Sequence, residues 1–167
     1  IASCLVGSEM CIRDRNKTPF VIQQMRCNIF DRTHEANGLF DLLADEGIGG
    51  IVFSPLAQGL LTDRYLNGVP EDSRAAREHF LKRANITREL LDKIRVLNEI
   101  AENRGQTLAQ MAIAWVLHLR GVSSALVGAT RPAQLLDVLK SVKNTTFSAE
   151  ELAAIDASSV PPSVNSK

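Results

Sequence analysis

A short apolar run that ends at Ser-Pro and opens into a glycine-containing loop constrains this chain more than any other feature. The segment reads GIVFSPLAQGLLT (residues 50–62). Residues 50–53 have the pattern of a strand buried on both faces of a parallel sheet, and Pro55 must end it because proline cannot donate to a sheet ladder. Ser54, Gln58 and Thr62 then place polar groups at the strand end where parallel α/β folds bind ligands. On these residues alone, a plain strand-to-loop boundary is an equal alternative.

Strand and helix patterns alternate along the rest of the chain. Strand patterns cover residues 19–24, 50–53 and 124–127. The alternation predicts right-handed βαβ units and a parallel sheet. A further helix is expected over residues 131–142, and Trp115 has the helical spacing of a core residue. Residue types that begin helices stand before the other helical patterns, at Thr33, Thr87, Thr107 and Ser148.

Composition narrows the class of partner. The chain has 19 basic and 19 acidic residues, and this balance gives no support for nucleic acid or an anionic membrane as the main partner. No apolar run approaches the roughly 20 residues that span a bilayer. Three irregularly spaced cysteines favour a reduced, cytoplasmic protein over a disulfide framework. The three histidines lack metal-ligand spacing, so no metal site is predicted.

The two ends of the chain are expected to lie outside the folded unit. Residues 1–15 resemble a translated sequencing adapter, and we interpret them as an artefactual leader, with a genuine N-terminal arm as the alternative. The native chain is then expected to resume near Asn16. Residues 158–167 are polar with two prolines and predict a flexible tail. The folded unit is therefore predicted to cover residues 16–157.

Four motifs in order carry a family resemblance. They are SPLAQGLLT (54–62), GVPEDSR (68–74), TLAQMAIAWVL (107–117) and GVSSALVGATR (121–131). Together they resemble aldo-keto reductases, in particular the branch with bacterial glyceraldehyde 3-phosphate reductases and potassium channel beta subunits. The resemblance implies an α/β fold, namely the C-terminal portion of a (β/α)8 TIM barrel: about three strand-helix units, containing strands 6 to 8 with their helices.

The resemblance also implies an NADP site. Gln24 would bind the nicotinamide carboxamide. Two loops would hold the phosphates and the adenosine end. The residues of the first loop and its continuation are Ser54, Pro55, Leu56, Gln58, Arg64, Ser73 and Arg74; those of the second are Gly128, Thr130, Arg131, Gln134 and Asp137. Read without the family, residues 128–131 form a weak anion site between a strand and a helix, and Arg131 is an ordinary solvated residue.

Four positions depart from the family pattern. Arg64 stands where the family usually has lysine. Cys27 stands where a tyrosine commonly stacks on the nicotinamide ring, and a thiol offers no comparable flat face. The favoured interpretation of Cys27 is an inert, buried, small hydrophobic residue. Asp137 stands where the family often has glutamate, and Val138 where it often has asparagine, which removes one expected hydrogen-bonding partner of the adenine.

The resemblance implies hydride transfer from NADPH to a small aldehyde or ketone, such as a glyceraldehyde 3-phosphate-like or methylglyoxal-like compound. The family's catalytic tyrosine, lysine, aspartate and histidine belong to the half of the barrel with no counterpart in this chain, so no catalytic residue is assigned and the chain alone is expected to be inactive. It is also expected to self-associate through uncovered strand edges. The alternative is a non-enzymatic NADP-binding sensor or scaffold subunit, and a homo-oligomer of the complete protein is left open.

Overall fold

Three parallel strands form the centre of the fold. The computed structural model describes residues 21–66 and 86–159. The strands are β1 (Ile22–Arg26), β2 (Gly49–Phe53) and β3 (Val122–Ala125), in the spatial order β1-β2-β3. Both pairings are parallel. The predicted parallel sheet is therefore confirmed for this part of the chain, as a partial barrel with helices on one side.

Six α-helices accompany the strands in the described ranges. Short 3-10 turns occur at Ala57–Gly59, Asp63–Tyr65 and Leu139–Lys143. The helices are α1 (Thr33–Ala36), α2 (Leu39–Asp45), α3 (Arg88–Asn103), α4 (Leu108–His118), α5 (Pro132–Val138) and α6 (Ala149–Ser158). No helix among the described residues has the length and apolar character needed to cross a membrane.

Three of the predicted helix starts are confirmed by side-chain hydrogen bonds. Thr87 Oγ1 accepts from the backbone N–H of Leu90 at the start of α3. Thr107 and Ser148 each form a reciprocal capping box, with Gln110 and Glu151 respectively. These bonds satisfy backbone donors that the first turn of a helix leaves unpaired.

The region after β1 differs from its prediction. One helix was expected from Thr33, but two short helices form, because Gly38 takes a left-handed φ of 76° between them. Thr33 does not cap: it is the first helical residue, and its hydroxyl donates to Oδ1 of Asp31. A polar tail was predicted from Ser158, yet α6 extends through that residue, whose hydroxyl donates to the carbonyl of Ala154.

β3 begins two residues earlier than its pattern indicated. The cause is a close approach at the amino end of the sheet, where the N–H of Gly50 donates to the carbonyl of Gly121 at 2.8 Å. A Cβ on Gly50 would lie 2.8 Å from that carbonyl oxygen, and one on Gly121 would lie 2.3 Å from the carbonyl oxygen of Phe40. Gly121 also has a φ of 82°. Only glycine fits these positions, and the pairing they permit fixes the register of β3.

The core lies between the helices and one face of the sheet. Trp115 is 1% exposed, which confirms its predicted place, and it packs in one cluster with Met25, Val52, Leu97 and Ile155. The opposite face of the sheet is open and includes Ile22, Phe53 and, one residue beyond β3, Leu126. The carboxyl ends of all three strands point toward the loops that form the site.

Candidate functional site

A cleft of about 380 Å³ lies at the carboxyl end of the sheet, between the loops that follow β2 and β3. Nine of the residues selected from the sequence line it. They are Ser54, Pro55, Leu56, Gln58, Arg64, Gly128, Thr130, Gln134 and Asp137. The volume falls in the usual range of small-molecule sites. Two loops separated by some 70 residues of sequence thus build one cavity.

The loop after β2 has an unusual backbone. Ser54, Ala57 and Gln58 have φ values of 56°, 46° and 60°, in the left-handed region that side chains other than glycine disfavour. The turn is closed by hydrogen bonds from Ala57 N–H to the Ser54 carbonyl and from Gly59 N–H to the Leu56 carbonyl. Such strain concentrates at functional sites, where surrounding contacts maintain it.

The side-chain amide of Gln58 has a buried oxygen to which no described residue donates a hydrogen bond. Its Oε1 atom is buried and has no hydrogen-bond partner among the described residues. A buried acceptor without a donor costs free energy, on the order of 1–3 kcal/mol. Gln58 lines both this cleft and its neighbour, so a ligand hydroxyl or amide entering either would offset that cost.

The loop after β3 is ordered by Gln134. Its Oε1 atom accepts from Thr130 N–H, Thr130 Oγ1 and Arg131 N–H at 3.0, 3.0 and 3.1 Å. These bonds bring the two residues to the first turn of α5. Thr130 lines the cleft, whereas Arg131 is exposed and is not among the lining residues.

Asp137 has structural partners as well as a place on the cleft wall. Its Oδ1 atom accepts from Gln110 Nε2 at 2.7 Å, and its Oδ2 atom accepts from Thr107 Oγ1 at 3.4 Å. Lys140 lies 3.7 Å away. Gln110 is 7% exposed. Sequence analysis gave Asp137 a cofactor role only, and no local pattern indicates these contacts, which span 27 and 30 residues.

One further candidate lies apart from the cleft lining, and two others fall outside the described residues. Gln24 is exposed on the open face of the sheet, beside Ile51 in the register of β1 and β2. Ser73 and Arg74 lie outside the described residues, as do residues 1–20, which contain the predicted leader. The cofactor roles of Ser73 and Arg74 therefore stay predictions from the sequence.

Cys27 is a core residue. It is 0% exposed, and burial, reinforced by the nearby carboxylates of Glu35 and Asp31, raises the pKa of its thiol to about 12. A thiol with that pKa is protonated at neutral pH and is a poor nucleophile. The interpretation of Cys27 as an inert hydrophobic residue is confirmed as far as burial is concerned.

A second cleft, of about 470 Å³, adjoins the first and shares Ser54 and Gln58 with it. Its charged groups are paired: Arg26 with Asp31 at 2.6 Å and Lys93 with Glu89 at 3.2 Å. Asn28, which sequence analysis did not select, also lines it and reaches the loop after β2. Within the described residues, no group of His, Cys, Asp and Glu is arranged to hold a metal ion.

Comparison with known proteins gives one consistent family. A profile of the Aldo/keto reductase family matches residues 6–160. That match begins inside the segment predicted to be a leader, whose origin stays a prediction. Over 144 residues the chain is 48% identical to an L-glyceraldehyde 3-phosphate reductase from Escherichia coli O157:H7, covering 84% of this chain and 42% of that protein.

The chain is also similar to a potassium channel subunit and to a solved dehydrogenase structure. A probable voltage-gated potassium channel subunit beta from Arabidopsis thaliana is 39% identical over 125 residues, which is 73% of this chain and 38% of that protein. Among solved structures, a glycerol dehydrogenase from Gluconobacter oxydans superposes with a TM-score of 0.72 at 25% identity, covering 90% of this chain and 46% of that one. The chain spans less than half the length of each of these relatives.

Proposed function

Because the chain belongs to the Aldo/keto reductase family, we propose that it forms the NADP-binding part of a cytoplasmic reductase of small aldehydes or ketones. The observation that carries the proposal is the gathering of nine candidate residues from two distant loops around one cleft. The cleft lies at the carboxyl end of parallel strands, where α/β folds bind their ligands.

The residues of the cleft suit a dinucleotide. NADPH, when bound, supplies the hydride that reduces a carbonyl group. Ser54, Leu56 and Gln58 would face its diphosphate and ribose, and the unpartnered Oε1 of Gln58 calls for a donor such as a sugar hydroxyl. Thr130 and Gln134 on the opposite wall would hold the adenosine end.

Two arginines near the cleft offer partners for an anionic ligand, beside the carboxylates of Asp63 and Asp137 in the lining. Arg64 lines the cleft and is exposed at its edge. Arg131 follows Thr130 directly and is exposed beyond the lining. A guanidinium group can bind a phosphate through two parallel charge-assisted hydrogen bonds. We assign Arg131 to the 2′-phosphate, the group that distinguishes NADP from NAD.

The test compares the two nucleotides. In calorimetric titrations, Arg131→Ala is expected to weaken NADP⁺ binding by roughly ten- to a hundredfold, in line with the loss of a charged hydrogen bond, and to leave NAD⁺ binding unchanged. Arg120→Ala is the matched control, because Arg120 is an exposed arginine before β3 at the other end of the sheet, paired with Asp41 and Asp45. An equal effect of Arg131→Ala on both nucleotides would contradict the assignment.

The substrate proposal rests on the relatives. The Escherichia coli relative is an L-glyceraldehyde 3-phosphate reductase, and a glyceraldehyde 3-phosphate-like or methylglyoxal-like aldehyde is proposed for the complete protein. The family resemblance assigns none of the catalytic tyrosine, lysine, aspartate and histidine to a residue of this chain, so we expect the 167-residue chain to show no turnover. NADPH oxidation by this chain with any of a panel of aldehydes would contradict that expectation.

A second candidate function is a non-enzymatic, NADP-binding sensor or scaffold subunit. The observation that favours it is the 39% identity to a probable potassium channel subunit beta. The complete gene product separates the two candidates. Turnover with at least one aldehyde supports the reductase, whereas nucleotide binding with no turnover across the panel supports the sensor.

A further inference from the structure

We infer that Asn28 is a positioning residue for the dinucleotide cleft, because its buried amide holds the strained loop that begins at Ser54. The inference rests on the proposed function, since it concerns how that cleft binds its nucleotide. Asn28 itself lies at the end of β1, in the neighbouring cleft. It would act on the nucleotide through Ser54 and Gln58, which line both clefts.

Both ends of the Asn28 amide are used. The side chain is part of a residue only 4% exposed. Its Oδ1 atom accepts from Phe30 N–H at 3.0 Å, and its Nδ2 atom donates to the Ser54 carbonyl at 3.1 Å. The backbone of Asn28 is fixed too, by a pair of hydrogen bonds with Asp31 at 3.1 and 3.0 Å. The amide is therefore held in one orientation and links two strand ends.

The Ser54 carbonyl is the point at which the loop is fixed. It accepts from Asn28 Nδ2 and also from Ala57 N–H at 3.0 Å. The second bond belongs to the turn itself, whereas the first comes from the segment that follows β1. A left-handed Ser54, with a φ of 56°, persists only when its surroundings determine it from more than one side. Asn28 supplies that external contact.

Asn28→Asp tests the inference because it keeps the shape and removes the donor. An ionised carboxylate would place a second acceptor against the Ser54 carbonyl, so the loop should leave its conformation. We expect NADP⁺ to bind about tenfold more weakly than to the unaltered chain at pH 8. Burial against the Ser54 carbonyl should raise the pKa of the introduced carboxyl above its ordinary value of about 3.9. The protonated acid regains one donor, so the ratio of the NADP⁺ dissociation constants of the Asn28→Asp and unaltered chains should fall toward one as the pH is lowered to about 5.

Asn37→Asp is the matched control. Asn37 makes the same type of local bond, from Leu39 N–H to its Oδ1 atom at 3.1 Å, but it is exposed between α1 and α2. The ratio of the NADP⁺ dissociation constants of the Asn37→Asp and unaltered chains should stay near one at every pH. Melting temperatures without nucleotide are measured in parallel. An Asn28→Asp chain that recovers thermal stability at low pH while its affinity ratio stays constant would show a purely structural role and overturn the inference.

A measurement on the unaltered chain gives a second check. In a nuclear magnetic resonance titration with NADP⁺, the side-chain amide signal of Asn28 should shift with the same dissociation constant as the backbone signal of Gln58. A stationary Asn28 signal alongside a shifting Gln58 signal would overturn the inference and leave the proposed function intact. An unaltered chain that binds no NADP⁺ would contradict both.

Discussion

Oδ1 of Asp137 accepts a hydrogen bond of 2.7 Å from Nε2 of Gln110, and this contact joins the wall of the cleft to the first turn of α4. Gln110 also completes the capping box of that helix through Thr107. The same amide side chain therefore serves the helix start with its oxygen and the cleft wall with its nitrogen. The position of α5 beside the cleft depends on a residue that does not line it.

Asp137→Ala is expected to lower the free energy of unfolding by about 1 kcal/mol, the usual net value of one hydrogen bond. The loss stays modest because Gln110 Nε2 keeps the backbone carbonyl of Asp137 as an acceptor at 3.2 Å. Urea denaturation measures it. Lys140→Ala serves as control, since its 3.7 Å contact is exposed and should contribute less than about 0.5 kcal/mol. Equal effects of the two changes would count against the Gln110 contact.

Arg104→Ala should lower the free energy of unfolding by about 3 kcal/mol, which is more than the loss expected for Asp137→Ala. The Arg104 side chain is 3% exposed and pairs with Glu151, and it also donates to Gln106 Oε1 and to the Thr146 carbonyl. Its guanidinium lies 3.7 Å from the centre of the Phe147 ring. Breaking a buried, hydrogen-bonded ion pair leaves the partner groups unsatisfied. Urea denaturation measures this loss as well.

Arg95→Ala is the control for Arg104. Arg95 pairs with Asp92 at 2.7 Å, but both side chains are more than half exposed. Its removal should change the free energy of unfolding by less than about 0.5 kcal/mol. A loss at Arg104 no larger than that at Arg95 would show that the buried network contributes little.

Cys27 gives a prediction about alkaline pH. Burial raises the pKa of its thiol from 9.0 to about 12, so the unfolded chain releases this proton at a lower pH than the folded chain. The contribution to stability is therefore complete below about pH 9 and is lost as the pH rises toward 12. In a chain with Cys4→Ser and Cys11→Ser, the free energy of unfolding should fall between pH 8 and about pH 10.5. Adding Cys27→Ala should make that fall smaller; an unchanged slope would contradict the prediction.

Ala57→Gly should raise the free energy of unfolding, by about 0.5 kcal/mol. Ala57 has a φ of 46°, where an L side chain is disfavoured and glycine is not. Ala153→Gly is the counterpart, because Ala153 is an exposed residue inside α6 and glycine there should cost about 1 kcal/mol. Thermal and urea denaturation of both variants check the opposite signs. Destabilisation by Ala57→Gly would show that the loop after β2 carries no strain at this position.

Local chemistry was predictable from the sequence where the deciding contacts are themselves local. The caps at Thr87, Thr107 and Ser148 involve donors three residues away, and all three form. The start of β3 was misplaced because it depends on Gly121 meeting Gly50 across the sheet. No pattern within residues 121–127 reports that contact.

In the candidate site, too, the sequence indicates what local motifs determine and does not indicate contacts between distant residues. Nine residues selected by motif resemblance line the cleft. The resemblance could select them because the loops at the strand ends keep their order along the chain. It could not indicate that Asn28 reaches Ser54 or that Gln110 holds Asp137, since these bonds span 26 and 27 residues. It could not indicate the left-handed Ser54 either, because serine gives no signal for that conformation.

The close approach of Gly50 and Gly121 has a practical consequence for anyone preparing mutant libraries of this chain. At that end of the sheet, neither position has space for even a methyl group, so random substitution there would yield mainly misfolded clones. At the opposite end, Gly128 and Ala129 are exposed beside open volume, and a Cβ on Gly128 would meet no atom within 4 Å. Diversity directed to those two positions could alter ligand preference while the folding yield of the library stays high.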